Sequence, residues 1–358
     1  MRRIGRTIMR NILPAVLLLA LIVLVVFPLA MLVYASFLDS PPRPGAPEGH
    51  FTLSNYATFG DPLTLEAAGN SIAFALGATT LALVIGSLLA WLVARTDVPA
   101  KPMVGVAGVM PLFMSSLVGA LAYALIASPR SGYINMALRD LALPFAVNIY
   151  SPLGIIIVLG LFYAPYAFLF MSSALHLMNP ELEEAAEIHG AGRGTVATQI
   201  TFPLVKPALL GAAILILVLT LENFPVLQIL GSPTGIETMP SAIFRLMMQT
   251  PPRPTEAAAV GMLLLAVMVL LVYLQSRMLR QGAYVTVTGK GFRPKVTPLG
   301  AWRWPAFAVA MLYLAGGGAA AVRARAIGAA RPSVHSEYGG AVRPRSVQPA
   351  PLSGYLRL

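Results

Sequence analysis

The chain has 358 residues, of which 57% are hydrophobic and 11% are charged, with a mean hydropathy of +0.75 and a net charge of +11. Because about a quarter of the residues in an ordinary soluble domain are charged, this composition excludes a soluble globular fold and predicts an integral membrane protein. The absence of cysteine excludes disulfides and thiolate metal sites. The basic residues lie scattered at loop ends without a nucleic-acid-binding motif, so no nucleic acid partner is predicted.

Six apolar runs are long enough to cross a bilayer, which takes about 20 residues in a helix. They lie near residues 12–37, 67–94, 103–127, 152–176, 207–230 and 256–275. A seventh run begins near Trp302 and stops short. The sequence therefore predicts an all-α integral membrane fold of six helices with a truncated seventh span.

The first run follows several arginines, as the apolar part of a signal peptide does. Its apolar part exceeds the usual length of about 7 to 15 residues and no small-residue cleavage site follows, so we expect an uncleaved first span. With a cytoplasmic N-terminus, fourteen Lys and Arg up to residue 303 fall on the cytoplasmic side. Five fall on the other side: Arg43, Arg130, Arg139, Arg245 and Arg253. This bias predicts a multi-pass membrane protein, in contact with lipid, with its N-terminus on the cytoplasmic side.

Prolines and small polar residues interrupt two of the predicted spans. Pro111 and the serines at 115–116 interrupt the third run, and Pro165 lies inside the fourth. Since proline frees a carbonyl that neighbouring groups must satisfy, we expect a partner for the carbonyl near Pro165. Positions with small residues predict close helix packing, among them Gly77, Gly86 and Ala90.

The segment between the fourth and fifth runs is polar and turn-rich, and residues 184–203 read EAAEIHGAGRGTVATQITFP. Asn179 is placed to cap a short helix beginning at Pro180, and three glutamates follow where the helix dipole favours negative charge. One face of this helix, at i, i+3, i+4 and i+7 spacing, is small and shallow: Leu182, Ala185, Ala186 and His189. Gly190 is expected to end the helix in the left-handed conformation.

The spacing of this segment resembles the EAA loop of permease subunits in binding-protein-dependent type I ABC importers. The matching positions are Glu184, Ala185, Ala186, Gly190, Ile200 and Pro203. Phe202 stands where the family usually has leucine, and Ala197 where an aromatic residue is common. The resemblance implies a cytoplasmic coupling helix that docks on a separate ATP-hydrolysing subunit, with the six matching residues coupling transport to hydrolysis. The plain alternative is a short acidic helix without a partner.

Glu222 lies inside the fifth apolar run, where an ionisable side chain costs on the order of a few kcal/mol and usually faces a cavity or a partner. Asn223 and Pro225 beside it indicate a locally broken helix. We expect Glu222, Asn223 and Tyr163 near a translocation path, with Glu222 facing the bundle interior. Alternatively, Glu222 pairs with a polar group in the bundle or is wet because the helix ends early, and Tyr163 serves only in packing.

The chain lacks the motifs of an ATPase or a hydrolase. Its only Gly-Lys pair, Gly289-Lys290, is followed by glycine and lacks the upstream glycine of a P-loop. No Gly-x-Ser-x-Gly or His-Glu-x-x-His motif occurs either. The histidines lie in unrelated settings: His50, His176, His189 and His335. We therefore expect no catalytic residue, no metal site and no cofactor.

The resemblance extends beyond the loop, because residues 67 to 275 look like the transmembrane domain shared by type I importers. The later segment YVTVTGKGFRPKVTPLGAWRWP looks like the link between two fused permease halves in the ferric-iron branch, which has polyamine, thiamine and phosphonate relatives. This likeness implies Fe(III) as the first substrate. The expected divisions are an N-terminal tail, first span and external loop at 1–66, the transmembrane domain at 67–280 with its EAA loop at 178–206, a linker and incomplete span at 281–315, and a tail at 316–358.

Gly, Ala, Pro and Arg dominate the tail, where no apolar periodicity survives. It is either a disordered basic tail or a gene read in the wrong frame. We prefer the frameshift, since the break falls inside a membrane helix. In either case the tail lacks the apolar surface that offsets the entropy of ordering, so we expect it to contribute nothing specific to transport.

The sequence thus predicts the permease subunit of an ABC importer, which forms a translocation path and carries no ATPase of its own. The resemblance implies cytoplasmic ABC ATPase subunits, a periplasmic substrate-binding protein, and a second permease half or a second copy of the chain as partners. Two alternatives stay open. One is an integral membrane enzyme acting on a lipid-linked substrate, although no cluster of acid, base or nucleophile is found. The other is a non-functional fragment of a longer fused permease.

Overall fold

The computed structural model describes residues 14, 16–42, 45, 49–179, 181–281 and 296–316. Within these ranges the fold is helical, and the extended pairings are two isolated β-bridges, one of which joins Thr96 to Thr297. The all-α prediction is confirmed. Pro180, His335 and the predicted tail beyond Gly316 lie outside the described residues, and the predicted domain boundaries stay predictions.

We number the helices of the described residues in chain order. They are α1 Val16–Ser36, α2 Pro62–Arg95, α3 Lys101–Val109, α4 Ser116–Ala127, α5 Tyr133–Asp140, α6 Pro152–Leu177, α7 Glu181–Ile188, α8 Gly194–Leu221, α9 Pro225–Leu230, α10 Met239–Met248, α11 Pro254–Gln281 and α12 Arg303–Leu314. Both α1 and α8 contain a π-turn, at Ile22–Val26 and Ala197–Thr201.

Five of these helices are long and apolar enough to cross a membrane: α1, α2, α6, α8 and α11. A sixth candidate is formed by α3 and α4 together, which are bent by 106° where a 3₁₀ turn over Met110–Phe113 joins them. The predicted interruption of the third run at Pro111 is therefore confirmed. The six predicted runs all correspond to helical segments, with the third bent and the fifth divided between α8 and α9.

The centre of the bundle is the contact between α2 and α6, the most extensive helix pair among the described residues. A Cβ atom added to Gly86 would overlap the backbone carbonyl of Ala164. One added to Gly77 would lie 2.8 Å from the Cδ1 atom of Ile156. Ala90 is fully buried on the same helix. The predicted small-residue positions therefore let the two helices touch, as close membrane packing requires.

Pro165 lies inside α6 and lacks the N–H that would bond to the carbonyl of Leu161 one turn earlier. The hydroxyl of Tyr313, in α12, donates to that carbonyl at 3.1 Å. Tyr313 and Ala310 are buried, and α12 lies against α3. The expected partner of the freed carbonyl is therefore found, and the start of the seventh run is packed into the bundle.

The connections on either side of α6 carry the short polar helices. Helix α5 precedes α6 and α7 follows it, so the two lie at opposite ends of the bundle. Positive-inside counting assigns the end that carries α7 to the cytoplasm.

Candidate functional site

Helix α7 is closed at both ends by the residues predicted to close it. Asn179 Oδ1 accepts the N–H of Glu181 at 3.0 Å and so caps the start of the helix. Gly190 has a φ of +85°, in the left-handed region. The N–H groups of Gly190 and of the residue after it donate to the carbonyls of Glu187 and Ala186, at 2.9 and 3.0 Å. These two bonds form a Schellman motif, which ends α7 without help from a partner.

The outer surface of α7 is exposed in the described part of the chain. Leu182 is 49% exposed and Ile188 is 84% exposed. Glu184 and Ala185 are also exposed, whereas Ala186 is half-buried. Ile188 was not part of the predicted face, although an exposed β-branched apolar residue in a polar loop is a signal for a protein contact.

Glu183 points the other way, into the bundle. Its carboxylate Oε2 lies 2.9 Å from Nη1 of Arg95, the last residue of α2, in an ion pair whose side chains are 11% and 5% exposed. Thr201 Oγ1 donates to the second carboxylate oxygen at 2.7 Å. From the sequence, Glu183 was expected only to lie where the helix dipole favours negative charge, because nothing local distinguishes it from the exposed glutamates beside it.

The second half of the loop returns the chain to the membrane. Helix α8 starts at Gly194 and passes through the π-turn that contains Ile200, which is half-buried. Phe202 and Pro203 are exposed. The six predicted coupling residues therefore lie on one continuous segment at one end of the bundle, and their role in coupling stays a prediction.

The fifth span is broken between Leu221 and Pro225. Asn223 Nδ2 donates to the hydroxyl oxygen of Tyr163 at 2.7 Å, while its Oδ1 accepts an N–H from the first turn of α9 at 3.1 Å. The Tyr163 hydroxyl donates in turn to the carbonyl of Leu219 at 2.9 Å. Asn223 and Tyr163 thus satisfy the backbone groups that the break leaves free, which is a structural reason for both residues.

Glu222 lies apart from this buried pair. Its side chain is exposed, because α8 ends at the residue before it. The alternative of an early helix end with an exposed Glu222 is therefore found in this chain by itself. The role of Glu222 in a translocation path stays a prediction.

Among the cavities of the described residues, one lies beside the start of α8 and another lies between α9 and α10. The first, of about 620 Å³, lies beside α7 and is lined by Trp91, Arg95 and Glu183, among others. The second, of about 370 Å³, is lined by Phe244 and by the ion pair that Glu237 forms with Arg245, whose Nε lies 2.9 Å from the carboxylate. Among the described residues, no group of three or more His, Asp or Glu is placed to hold a metal ion.

A bundle of apolar spans joined by short connections, one of which carries the capped and exposed helix α7, defines a multi-pass membrane protein. The chain belongs to the family of inner membrane components of binding-protein-dependent transport systems, whose sequence model matches residues 82–285. That range contains α7 and the broken fifth span. The predicted family is therefore confirmed.

Curated relatives of several transport systems match the chain. The spermidine/putrescine transport system permease protein PotB of Salmonella typhimurium (strain SL1344) is 28% identical over 189 residues, which are 52% of this chain and 65% of PotB. The ferric transport system permease protein FbpB of Actinobacillus pleuropneumoniae is 29% identical over 48% of this chain and 25% of FbpB. The sulfoquinovosyl glycerol transport system permease protein SmoG of Agrobacterium fabrum is 29% identical over 240 residues, which are 64% of this chain and 76% of SmoG.

The fold is similar to that of a bacterial ABC transporter that imports the acidic polysaccharide alginate. The TM-score is 0.64 at 20% identity, over 78% of this chain and 99% of the other. This likeness shows the fold. The matching region spans 65% of the length of PotB. All of the relatives named here are transport permeases, which favours a transport subunit over the membrane enzyme.

Proposed function

We propose that the chain is the permease subunit of an ABC importer in the bacterial inner membrane. It would line part of the translocation path and transmit the movement of a separate ATPase through α7. Alternating access of this kind stabilises two states of the permease in turn and needs no chemistry on the substrate. Membership of the transport family supports the class, and a multi-pass bundle of apolar helices supports the location.

The observation that carries the proposal is the architecture of α7. The helix is fixed from within by its cap and its Schellman motif, and it is joined to the bundle through Glu183. Its exposed face carries the apolar side chains of Leu182 and Ile188. A preformed helix with an apolar outer face suits insertion into a groove on another protein.

The partners follow from the same proposal. A pair of cytoplasmic ATPase subunits would bind α7 and the equivalent helix of a second permease half or a second copy of the chain. A periplasmic substrate-binding protein would deliver substrate at the opposite end. Glu222 is exposed beside the broken span, so we place it on the surface that faces the second permease half, where a path between the halves would run.

Fe(III) is the substrate that we propose to test first, with support from the likeness to FbpB. The other relatives are described as permeases for spermidine/putrescine and for sulfoquinovosyl glycerol, so these compounds are the comparison substrates. Proteoliposomes that contain the chain, its ATPase and its binding protein would be supplied in separate assays with Fe(III), with spermidine and with sulfoquinovosyl glycerol, and uptake would be measured. Uptake of spermidine or of sulfoquinovosyl glycerol without uptake of Fe(III) would reject the iron assignment and leave the permease function in place.

The permease function itself is tested by co-purification with the ATPase. Ala185 is exposed on α7, and an Arg side chain there would keep an apolar groove from closing over the helix. We expect Ala185→Arg to reduce the ATPase recovered with the chain at least tenfold. The matched control is Ala137→Arg, an exposed alanine on the short helix α5 at the opposite end of the bundle. Equal recovery with both variants would contradict docking through α7.

A further inference from the structure

Arg95 is the point at which three separate parts of the described chain meet. Its guanidinium holds Glu183 of α7 at 2.9 Å. Its backbone carbonyl accepts the N–H of Thr297 at 2.7 Å, from the segment that precedes α12. Two residues on, Asp97 Oδ1 accepts the N–H of Leu299 at 2.7 Å. One end of α2 therefore fastens both the loop helix and the chain that follows the sixth span.

The ion pair is buried and polar contacts surround it. Arg95 is 4% exposed as a whole residue, and its Nη2 lies 3.4 Å from the carbonyl of Leu175 near the end of α6. Thr201, at the start of α8, donates to Glu183. Removal of one partner of a buried ion pair leaves an unpaired charge in the interior, which is strongly destabilising.

Glu183 is the part of α7 that reaches into the bundle. Its outer face is exposed, and among its glutamates Glu183 alone is buried. The cavity of about 620 Å³ lies between α7, the end of α2 and residues 296–298, so there is open space on one side of the ion pair. The bonds of Glu183 to Arg95 and Thr201 therefore link α7 to the end of α2 and the start of α8.

We propose that Arg95 is a positioning residue for coupling, which transmits movement of α7 to the membrane helix α2 through its ion pair with Glu183. The proposal rests on the permease function argued above. Since α2 packs closely along α6, a displacement of α7 would reach both central helices. Arg95 would act through Glu183, because its own side chain is buried in that ion pair.

The decisive variant is the double substitution Arg95→Gln with Glu183→Gln, which removes both charges and leaves none unpaired in the interior. The chain has no native cysteine, so cysteines at Ile188 on α7 and Leu88 on α2 can be spin-labelled without background. Ile188 is 84% exposed and Leu88 is 44% exposed. We expect a narrow distance distribution in the full chain and at least a twofold broader one in the double variant. A distribution that stays narrow would overturn the proposal.

The second measurement uses the unlabelled chain in complex with its ATPase. We expect the double variant to retain the same amount of ATPase but to hydrolyse ATP at least threefold more slowly per bound ATPase. The single substitution Arg95→Lys keeps the positive charge beside Glu183, so we expect it to keep most of the hydrolysis rate of the unmodified chain. Loss of ATPase binding, or an unchanged rate, would contradict a positioning role. If the unmodified chain bound no ATPase, the permease proposal would fail, and the spin-label distances would still test the link between α7 and α2.

Discussion

Gly190 is required for its backbone conformation rather than for lack of space. Its φ is +85°, yet a Cβ atom added there would meet no heavy atom within 4 Å. An L-residue in the left-handed region costs about 1–2 kcal/mol, and a β-branched residue is especially unsuited to it. The Schellman motif of α7 therefore depends on this glycine.

We expect Gly190→Val to leave membrane insertion intact but to uncouple ATP hydrolysis from transport, because the end of α7 would change direction. Transport per ATP hydrolysed in proteoliposomes measures this. Gly192→Val is the matched control, since Gly192 also has open space around it but has no left-handed φ. Wild-type coupling in Gly190→Val would show that the turn is not needed.

The structure separates the three residues predicted for the path into two roles. Tyr163 and Asn223 are 7% and 6% exposed and hold the break of the fifth span, whereas Glu222 is exposed. Tyr163→Phe should lower the free energy of unfolding by about 1–3 kcal/mol, because the buried carbonyl of Leu219 loses its donor. Glu222→Gln should reduce transport without this loss. Thermal unfolding in detergent and uptake assays distinguish the Tyr163→Phe variant from the Glu222→Gln variant. Equal unfolding profiles of the two variants would contradict the expected difference between them.

At the scale of the helices, α6 and α12 are joined by one hydrogen bond that a proline makes necessary. Tyr313→Phe should remove the partner of the Leu161 carbonyl and destabilise the bundle by about 1–3 kcal/mol. In a Pro165→Ala background the helix supplies its own N–H to that carbonyl, so the same substitution should cost less. A double-mutant cycle on unfolding free energies measures the difference. Additive effects of the two substitutions would mean that the proline and the tyrosine are independent.

The helices were predictable where their length and composition decided the structure. The spans at α1, α2, α6 and α11 follow from long apolar runs, and the break near Pro111 follows from its residues. The bend of 106° between α3 and α4 did not follow, because the angle depends on helices that contact both sides of the break. The fifth run was expected to reach residue 230 with a local break at Asn223 and Pro225, and the break is found, because α8 ends at Leu221 and α9 begins at Pro225.

The candidate site was predictable only in its local parts. The cap at Asn179 and the left-handed Gly190 are features of neighbouring residues, and both were anticipated. The ion pair between Arg95 and Glu183 joins positions 88 residues apart, so no local pattern could indicate it. Positive-inside counting predicted that Arg95 and Glu183 lie on the same side of the membrane, and this was the only indication from the sequence that the two residues could pair.

For the whole molecule, the described part of the seventh helix belongs to the bundle, whereas the segment after it is predicted to add nothing to transport. A chain that ends at Gly316 should therefore insert, bind the ATPase and transport as the full chain does. A chain that ends at Leu299 should lose α12 and with it the donor to Leu161. These expectations are checked by measuring, for both truncated chains, the unfolding temperature and the uptake of substrate. Loss of transport in the chain that ends at Gly316 would show that the tail is a working part.

The length of α2 has a consequence for how the molecule sits in the bilayer. Its 34 residues make a rod of about 51 Å at 1.5 Å per residue, well beyond a hydrocarbon core of about 30 Å. Glu66 and Arg95 enclose a stretch without any charge, and their separation along the axis is about 44 Å, close to the headgroup-to-headgroup thickness of about 40–45 Å. The length of α2 therefore fits a bilayer in which Glu66 and Arg95 lie at the depths of opposite headgroup layers. In a thinner bilayer, α2 would have to tilt to keep both residues at those depths.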